Sequence, residues 1–240
     1  MRRFGLIGYP LTHSFSPSYF KNKFEKEDIQ NTEYKLYPIE EVSQIMTLFE
    51  SDILGLNVTI PYKESVIPFL DDLDMSALSV MAVNTIKNEN GLWVGYNSDI
   101  FGFENSLDFD WFENKPKRCL ILGTGGASKA VKKVMDNHEF ETIFVSSSGN
   151  GMAYNDIDKS IIESVSIIVN TTPLGMAPNI EKYPLIPYEY LSDQHLAYDL
   201  IYNPEKTVFL NSASAHNARI QNGLPMLKLQ AEKSWEIWNS

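Results

Sequence analysis

Lys63 and Asp99 supply the residue types that a proton transfer needs, an amine and a carboxylate, each set near the start of a predicted helix. Lys63 follows Pro61 by two residues, and a proline at the first helical position would put the lysine in the opening turn. The macrodipole there opposes a cation and lowers its pKa, which suits general acid–base work near neutral pH. An exposed lysine at a poorly optimised position is the alternative. Asp99 ends the segment Gly95-Tyr96-Asn97-Ser98-Asp99, and a carboxylate at a helix start is also stabilised on purely structural grounds. Two serines offer anion contacts. Ser14 and Ser16 are one residue apart in His13-Ser14-Phe15-Ser16-Pro17, so in an extended chain both hydroxyls face the same way. Ser16 also stands where a helix N-cap belongs, just before Pro17. His13 reads as a hydrogen-bonded structural histidine.

A third group is made of backbone rather than side chains. Gly123-Thr124-Gly125-Gly126-Ala127 follows an apolar run at 118–122 and precedes a helical pattern at 128–137. Strand, tight glycine turn and helix form the setting of a dinucleotide-binding loop, in which the pyrophosphate sits on the helix N-terminus. Ser128 replaces the last glycine of the usual pattern, and Lys129 adds positive potential. A plain strand–helix turn is the bland alternative. The next strand, 142–145, ends in Ser146-Ser147-Ser148-Gly149. An acid there would favour NAD and an arginine NADP; the loop has neither.

The elements that must position these groups alternate between short apolar runs and helical patterns, which specifies an α/β protein. Strands are predicted at 4–7, 34–37, 55–58, 83–87 and 92–95, the last two joined by Asn90-Gly91, and then at 118–122, 142–145, 167–170 and 196–200. Helices are predicted at 17–26, 40–50, 61–70, 99–107 and 128–137, with a final one after Pro225. Leu227, Ala231, Trp235 and Trp238 share one face of that last helix, so it must dock. Residues 114–117, polar and containing Pro116, look like a joint.

With 20 basic against 31 acidic residues the net charge is -11. Nucleic acid and anionic membrane both reward a basic surface, so neither is expected as a partner. If the ligands are anions, the site must make its own positive potential. Cys119 is the only cysteine, which leaves no intrachain disulfide and suggests the cytoplasm. No apolar run reaches membrane-spanning length.

Taken together, these segments resemble the shikimate dehydrogenase family, in order and over nearly the whole chain. The residues carrying the likeness begin with Ile7-Gly8-Tyr9-Pro10, His13–Pro17, Asn57-Val58-Thr59-Ile60-Pro61-Tyr62-Lys63, Ala82-Val83-Asn84-Thr85 and Gly95–Asp99. The second half adds Gly123–Ala127, Asn170-Thr171-Thr172-Pro173-Leu174-Gly175-Met176, Tyr198–Pro204 and Gly223–Gln230. The resemblance implies an N-terminal α/β substrate domain (1–103 with 223–240) and a Rossmann-like dinucleotide-binding domain (104–222). It implies reversible, NADPH-dependent reduction of 3-dehydroshikimate to shikimate on the chorismate route to aromatic amino acids. By position, Ser14, Ser16 and Tyr202 would bind the substrate carboxylate, and Thr59, Asn84 and Gln230 the ring hydroxyls. Lys63 and Asp99 would be the catalytic pair and also touch substrate. Gly123, Thr124, Gly125, Gly126, Ala127, Ser146, Ser147, Ser148, Thr171, Leu200 and Gly223 would line the cofactor. No metal is expected, and the protein would be a monomer or homodimer.

One departure stands out. Relatives that use NADPH carry an Asn-Arg-Thr-like segment where this chain has Ser146–Ser148, so the arginine that clamps the 2′-phosphate is absent and NAD use is also open. The competing readings are a quinate/shikimate dehydrogenase with relaxed cofactor use, and a non-catalytic dinucleotide-binding sensor on the same scaffold. A sensor needs neither Lys63 nor Asp99.

Overall fold

The apolar run after Arg3 forms β1 (Arg2–Gly8), whose two faces feed two cores. Phe4 packs into one cluster and Ile7 into another, as the two-residue period of a strand requires. In the computed structural model of the protein, residues 1–11 and 14–240 are described, and His13 lies outside them. β1 pairs in parallel with β2 (Thr32–Pro38) and with β3 (Ile53–Val58). Parallel neighbours need crossovers. These are α1 (Ser16–Lys26) and a 3-10 turn (Val42–Gln44) running into α2 (Ile45–Phe49).

The expected helix over 40–50 therefore opens late, at a capping box between Glu41 and Gln44. Beyond β3 come β4 (Asp72–Leu73), α3 (Met75–Leu78), and the antiparallel pair β5 (Thr85–Glu89) and β6 (Leu92–Tyr96). Asn90 and Gly91 turn between them at φ 56° and 95°, the left-handed conformations that a two-residue hairpin demands. The sheet order is β2-β1-β3-β5-β6-β4.

Two sequence expectations fail in this half. Residues 61–70 do not form an α-helix; they make successive turns that end in a 3-10 segment, Ile67–Phe69. Pro68 explains this, because inside a helix it lacks the N–H for an i→i−4 bond and its ring clashes with the carbonyl four residues back. Lys63 therefore feels no helix macrodipole. The stretch around Ser14 and Ser16 is not extended either: Phe15 is helical at φ −68°, ψ −40° and serves as the N-cap, with Ser16 already inside α1.

The second sheet is wholly parallel, built from β7 (Arg118–Leu122), β8 (Glu141–Val145), β9 (Ile167–Asn170), β10 (Leu196–Asp199) and β11 (Arg219–Gln221). Its order, β11-β10-β9-β7-β8, reverses between β7 and β9. That is the doubly wound arrangement, with its ligand crevice at the switch point beyond the strand C-termini. α5 (Gly126–Asn137), α6 (Lys159–Ser164) and α7 (Val208–Ala215) connect the strands. The core centres on Leu120, Leu122, Ile168, Ala197 and Phe209.

α4 (Ser98–Glu104) precedes this sheet and α8 (Leu224–Asn239) follows it. The chain divides into two compact units, Met1–Phe101 with Gln230–Ser240, and Gly102–Leu229, so the divisions fall inside α4 and α8. The expected joint at 114–117 lies within the second unit, where Phe112 just before it packs edge-on against Phe140. Among the described residues, no helix is long and apolar enough to cross a membrane.

Asp199 ties the second sheet together from its fully buried position at the end of β10. Asn170 Nδ2 and the Ile201 N–H donate to its Oδ1, each at 3.0 Å, and Thr207 Oγ1 donates to Oδ2 at 2.6 Å. Burial pushes its carboxyl up to about 6, against the pull of those donors. A carboxyl whose folded pKa exceeds its unfolded one adds stability at low pH and loses it as pH climbs through the folded value. Wild-type stability measured relative to Asp199→Asn should therefore fall by about 1 kcal/mol between about pH 5 and about pH 7. Parallel pH dependence of the two proteins would show that this carboxyl does not titrate there.

Candidate functional site

The first unit gathers a polar cluster at the C-terminal end of β3 and the start of α4. Lys63 Nζ donates to Asp99 Oδ2 at 2.6 Å, and the side chains are 17% and 7% exposed. Both partners are thus largely removed from water, where an ion pair is stronger than at a surface. Asn84 Nδ2 donates to the other carboxylate oxygen of Asp99 at 2.9 Å. The Ser98 N–H donates to Asn84 Oδ1 at 2.7 Å. A backbone N–H can only donate, so this bond fixes which end of the Asn84 amide faces Asp99. Gln230 Oε1 lies 3.4 Å from Asn84 Nδ2 and 3.3 Å from Ser98 Oγ.

The structure thus brings together Lys63, Asp99, Asn84 and Gln230 from four distant stretches of chain. Thr59 follows β3 directly, its N–H donating to the Ile7 carbonyl. Ser16 is nearly buried in the first turn of α1, while Ser14 donates to the Leu11 carbonyl at 3.4 Å. Tyr202 belongs to the second unit, beyond β10, and burial raises its phenol pKa.

Sequence reasoning missed the inner layer of this cluster. Asn57, Thr85, Ser98 and Ser234 are all buried and join the same network. Ser234 carried a signal: it interrupts the apolar face of α8 four residues after Gln230.

In the second unit the glycine turn leaves β7 and enters α5 two residues earlier than expected, with Gly125 at the N-cap. Gly123 is required twice over, by its φ of 108° and because a Cβ would sit 2.7 Å from Thr171 Oγ1. Gly125 differs: its backbone is extended, and a Cβ there would meet no atom of the chain within 4 Å. Neither conformation nor internal packing calls for glycine at Gly125, so the open space in front of the α5 N-terminus suits a pyrophosphate. Thr124 completes that turn, and Gly126 and Ala127 open α5.

Thr171 Oγ1 donates to the Leu122 carbonyl at 2.7 Å, locking the β9 exit against the glycine turn. Leu200 and Gly223 meet through their backbones; a Cβ on Gly223 would lie 2.0 Å from the Leu200 carbonyl oxygen. At the end of β8, Ser146 is buried, and its Oγ accepts from the Ser148 N–H at 3.1 Å and lies 2.7 Å from Ser148 Oγ. Ser147 and Ser148 are exposed. The end of β8 thus offers hydroxyls and backbone N–H groups, donors that could hold part of a dinucleotide.

Residues 6–86 match the family model of the shikimate dehydrogenase substrate binding domain. A shikimate dehydrogenase (NADP(+)) of Desulforamulus reducens is 35% identical over 258 positions, spanning 98% of this chain and 88% of its own length. The structure of shikimate dehydrogenase from Aquifex aeolicus is similar with a TM-score of 0.88 at 32% identity, covering 100% of this chain and 92% of that one. Shikimate 5-dehydrogenase from Thermus thermophilus, solved with NADP(H) and shikimate, gives 0.84 at 26% identity, covering 99% and 93%. With identity of this order along almost its entire length, the chain belongs to the shikimate dehydrogenase family.

Proposed function

We propose that this chain reduces 3-dehydroshikimate to shikimate with NADPH, reversibly, in the cytoplasm and as a step towards aromatic amino acids. The observation that carries the reading is the buried Lys63–Asp99 pair at 2.6 Å, with Asn84 on the second carboxylate oxygen. When bound, the reduced nicotinamide would supply a hydride to the carbonyl carbon of the substrate. Negative charge then grows on the carbonyl oxygen, and a preorganised cationic donor lowers the barrier. Lys63 Nζ gives its proton to that oxygen and regains one afterwards from solvent. Asp99 holds Lys63 in line through its Oδ2. Ser14, Ser16 and Tyr202 take the carboxylate, and Thr59, Asn84 and Gln230 the ring hydroxyls. Gly123–Ala127, Thr171, Leu200 and Gly223 hold the dinucleotide. Initial rates with shikimate and quinate, each with NADP and NAD, test the reading; no turnover of shikimate with either cofactor would reject it.

The serine loop sets the expected cofactor margin. No acid repels a 2′-phosphate there and no arginine grips it. Ser147 and Ser148 can still donate, but from an exposed loop. A preference for NADP on the order of tenfold in kcat/KM, about 1.4 kcal/mol, is expected. Ser147→Arg should widen it by adding a bidentate phosphate partner, and Ser147→Asp should turn it towards NAD. An unmodified protein that prefers NAD would contradict this account of the loop.

A further inference from the structure

We propose that Ser234 is a positioning residue: with Thr85 and Asn57 it holds Asn84 and Gln230 in register with the Lys63–Asp99 pair through a buried chain of hydroxyls and amides. The proposal rests on the reading of Lys63 and Asp99 as the reacting pair.

Ser234 has no exposed surface, and the neighbouring buried residues on its helix face, Ala231 and Trp238, are apolar. Packing alone would be served by alanine. The hydroxyl is instead surrounded by polar groups from three elements. Asn57 Nδ2 on β3 donates to it at 2.9 Å, Thr85 Oγ1 on β5 lies at 2.7 Å, and Ser98 Oγ on α4 lies at 3.1 Å. The Ser234 hydroxyl can also donate to the Gln230 carbonyl one turn earlier, at 2.9 Å.

The orientation of each amide is determined. Asn57 Nδ2 reaches the Asn84 carbonyl at 3.2 Å, and a carbonyl can only accept. Asn57 Oδ1 is therefore left to accept from the Tyr34 hydroxyl at 2.8 Å. At the other end, Asn84 Nδ2 bonds both Ser98 Oγ and Asp99 Oδ1, each at 2.9 Å. Asn57 and Asn84 are thus each held in one orientation, and the hydroxyls of Ser234, Thr85 and Ser98 join them. A buried polar network whose members are all satisfied gives rigidity and a single geometry, whereas a partly satisfied one is costly. Here the geometry it specifies is that of the Asp99 carboxylate, and the Gln230 backbone is held by the same hydroxyl.

The test uses the full chain, with kcat and KM measured for shikimate oxidation in Ser234→Ala, Thr85→Val and Thr85→Ser, and in Ser234→Ala combined with Asn84→Ala. Ser234→Ala and Thr85→Val should each lower kcat about tenfold with KM within about twofold, the scale of a small misplacement at the reacting atoms. Thr85→Ser, which keeps the hydroxyl, should stay near wild type. In the Asn84→Ala background, Ser234→Ala should cause no further loss, because its effect travels through Asn84. An unchanged kcat in Ser234→Ala, or a loss that multiplies fully with that of Asn84→Ala, would overturn the proposal. If Ser234→Ala does not fold, the contrast between Thr85→Val and Thr85→Ser decides it. A near-normal kcat in Lys63→Ala would instead remove the underlying reading, whatever Ser234 does.

Discussion

Lys63→Ala is expected to lower kcat by about 100-fold or more while moving KM far less, the pattern of a lost general acid. Nζ is the cationic donor bonded to Asp99, and alanine leaves that carboxylate buried with Asn84 as its remaining side-chain donor among the described residues. Removing one partner of a buried pair strands the other's charge, so some loss of stability should accompany the loss of rate. Thermal melting separates the two: a variant that melts near wild type and has lost its kcat shows the role to be chemical. Asp99→Asn should be comparably severe, since an amide cannot hold the ammonium as an ion pair. Near-normal kcat in Lys63→Ala would refute the mechanism.

Removal of everything after Gly223 should abolish activity by two routes at once. The first is the loss of Gln230 and Ser234, which reach the Asn84–Ser98 cluster. The second is an opened core. Trp238 stacks on Phe4 at 4.7 Å between ring centres, donates its indole N–H to the Ile86 carbonyl at 3.0 Å, and fills the space a Cβ on Gly55 would take. Trp235 lies against Phe4 and Phe24, and the Tyr19 hydroxyl bonds Glu232. Deleting a buried Trp side chain alone costs about 3–5 kcal/mol, a large share of the roughly 5–15 kcal/mol that keeps a domain folded. Trp238→Ala should therefore lower the melting temperature sharply, and the truncated chain should lose both solubility and turnover. A soluble, folded and active truncation would show α8 to be peripheral.

Local signals were legible in the sequence where one stretch of chain decides its own conformation. Asn90-Gly91 specified a hairpin turn, and the run 118–122 before Gly123 specified a strand–turn–helix unit; both are present. The stretch 61–70 holds both a helix start signal, Pro61, and a breaker, Pro68, and the breaker prevails. The side-chain alternation expected of Ser14 and Ser16 failed because Phe15 is helical. The inner polar layer was illegible for a different reason. Asn57 and Thr85 meet Ser234 across 177 and 149 residues, and only the order of strands in the sheet puts them side by side. The Asp199 knot likewise joins β9, β10 and the α7 cap, which no local pattern reports.

The docking of Trp238 on Phe4 also bears on how the molecule is made. The second unit is one continuous stretch, Gly102–Leu229, whereas the first joins the opening hundred residues to the last eleven. During synthesis the parallel sheet of the second unit can therefore form before the aromatic cluster around β1 is closed. Until Trp238 emerges, Phe4, Phe20 and Phe24 belong to a nascent core that lacks one wall. Contacts of such long sequence separation form late and leave apolar surface exposed meanwhile. The aromatic side chains of β1 and α1 thus reach their native surroundings only after Trp238 has emerged.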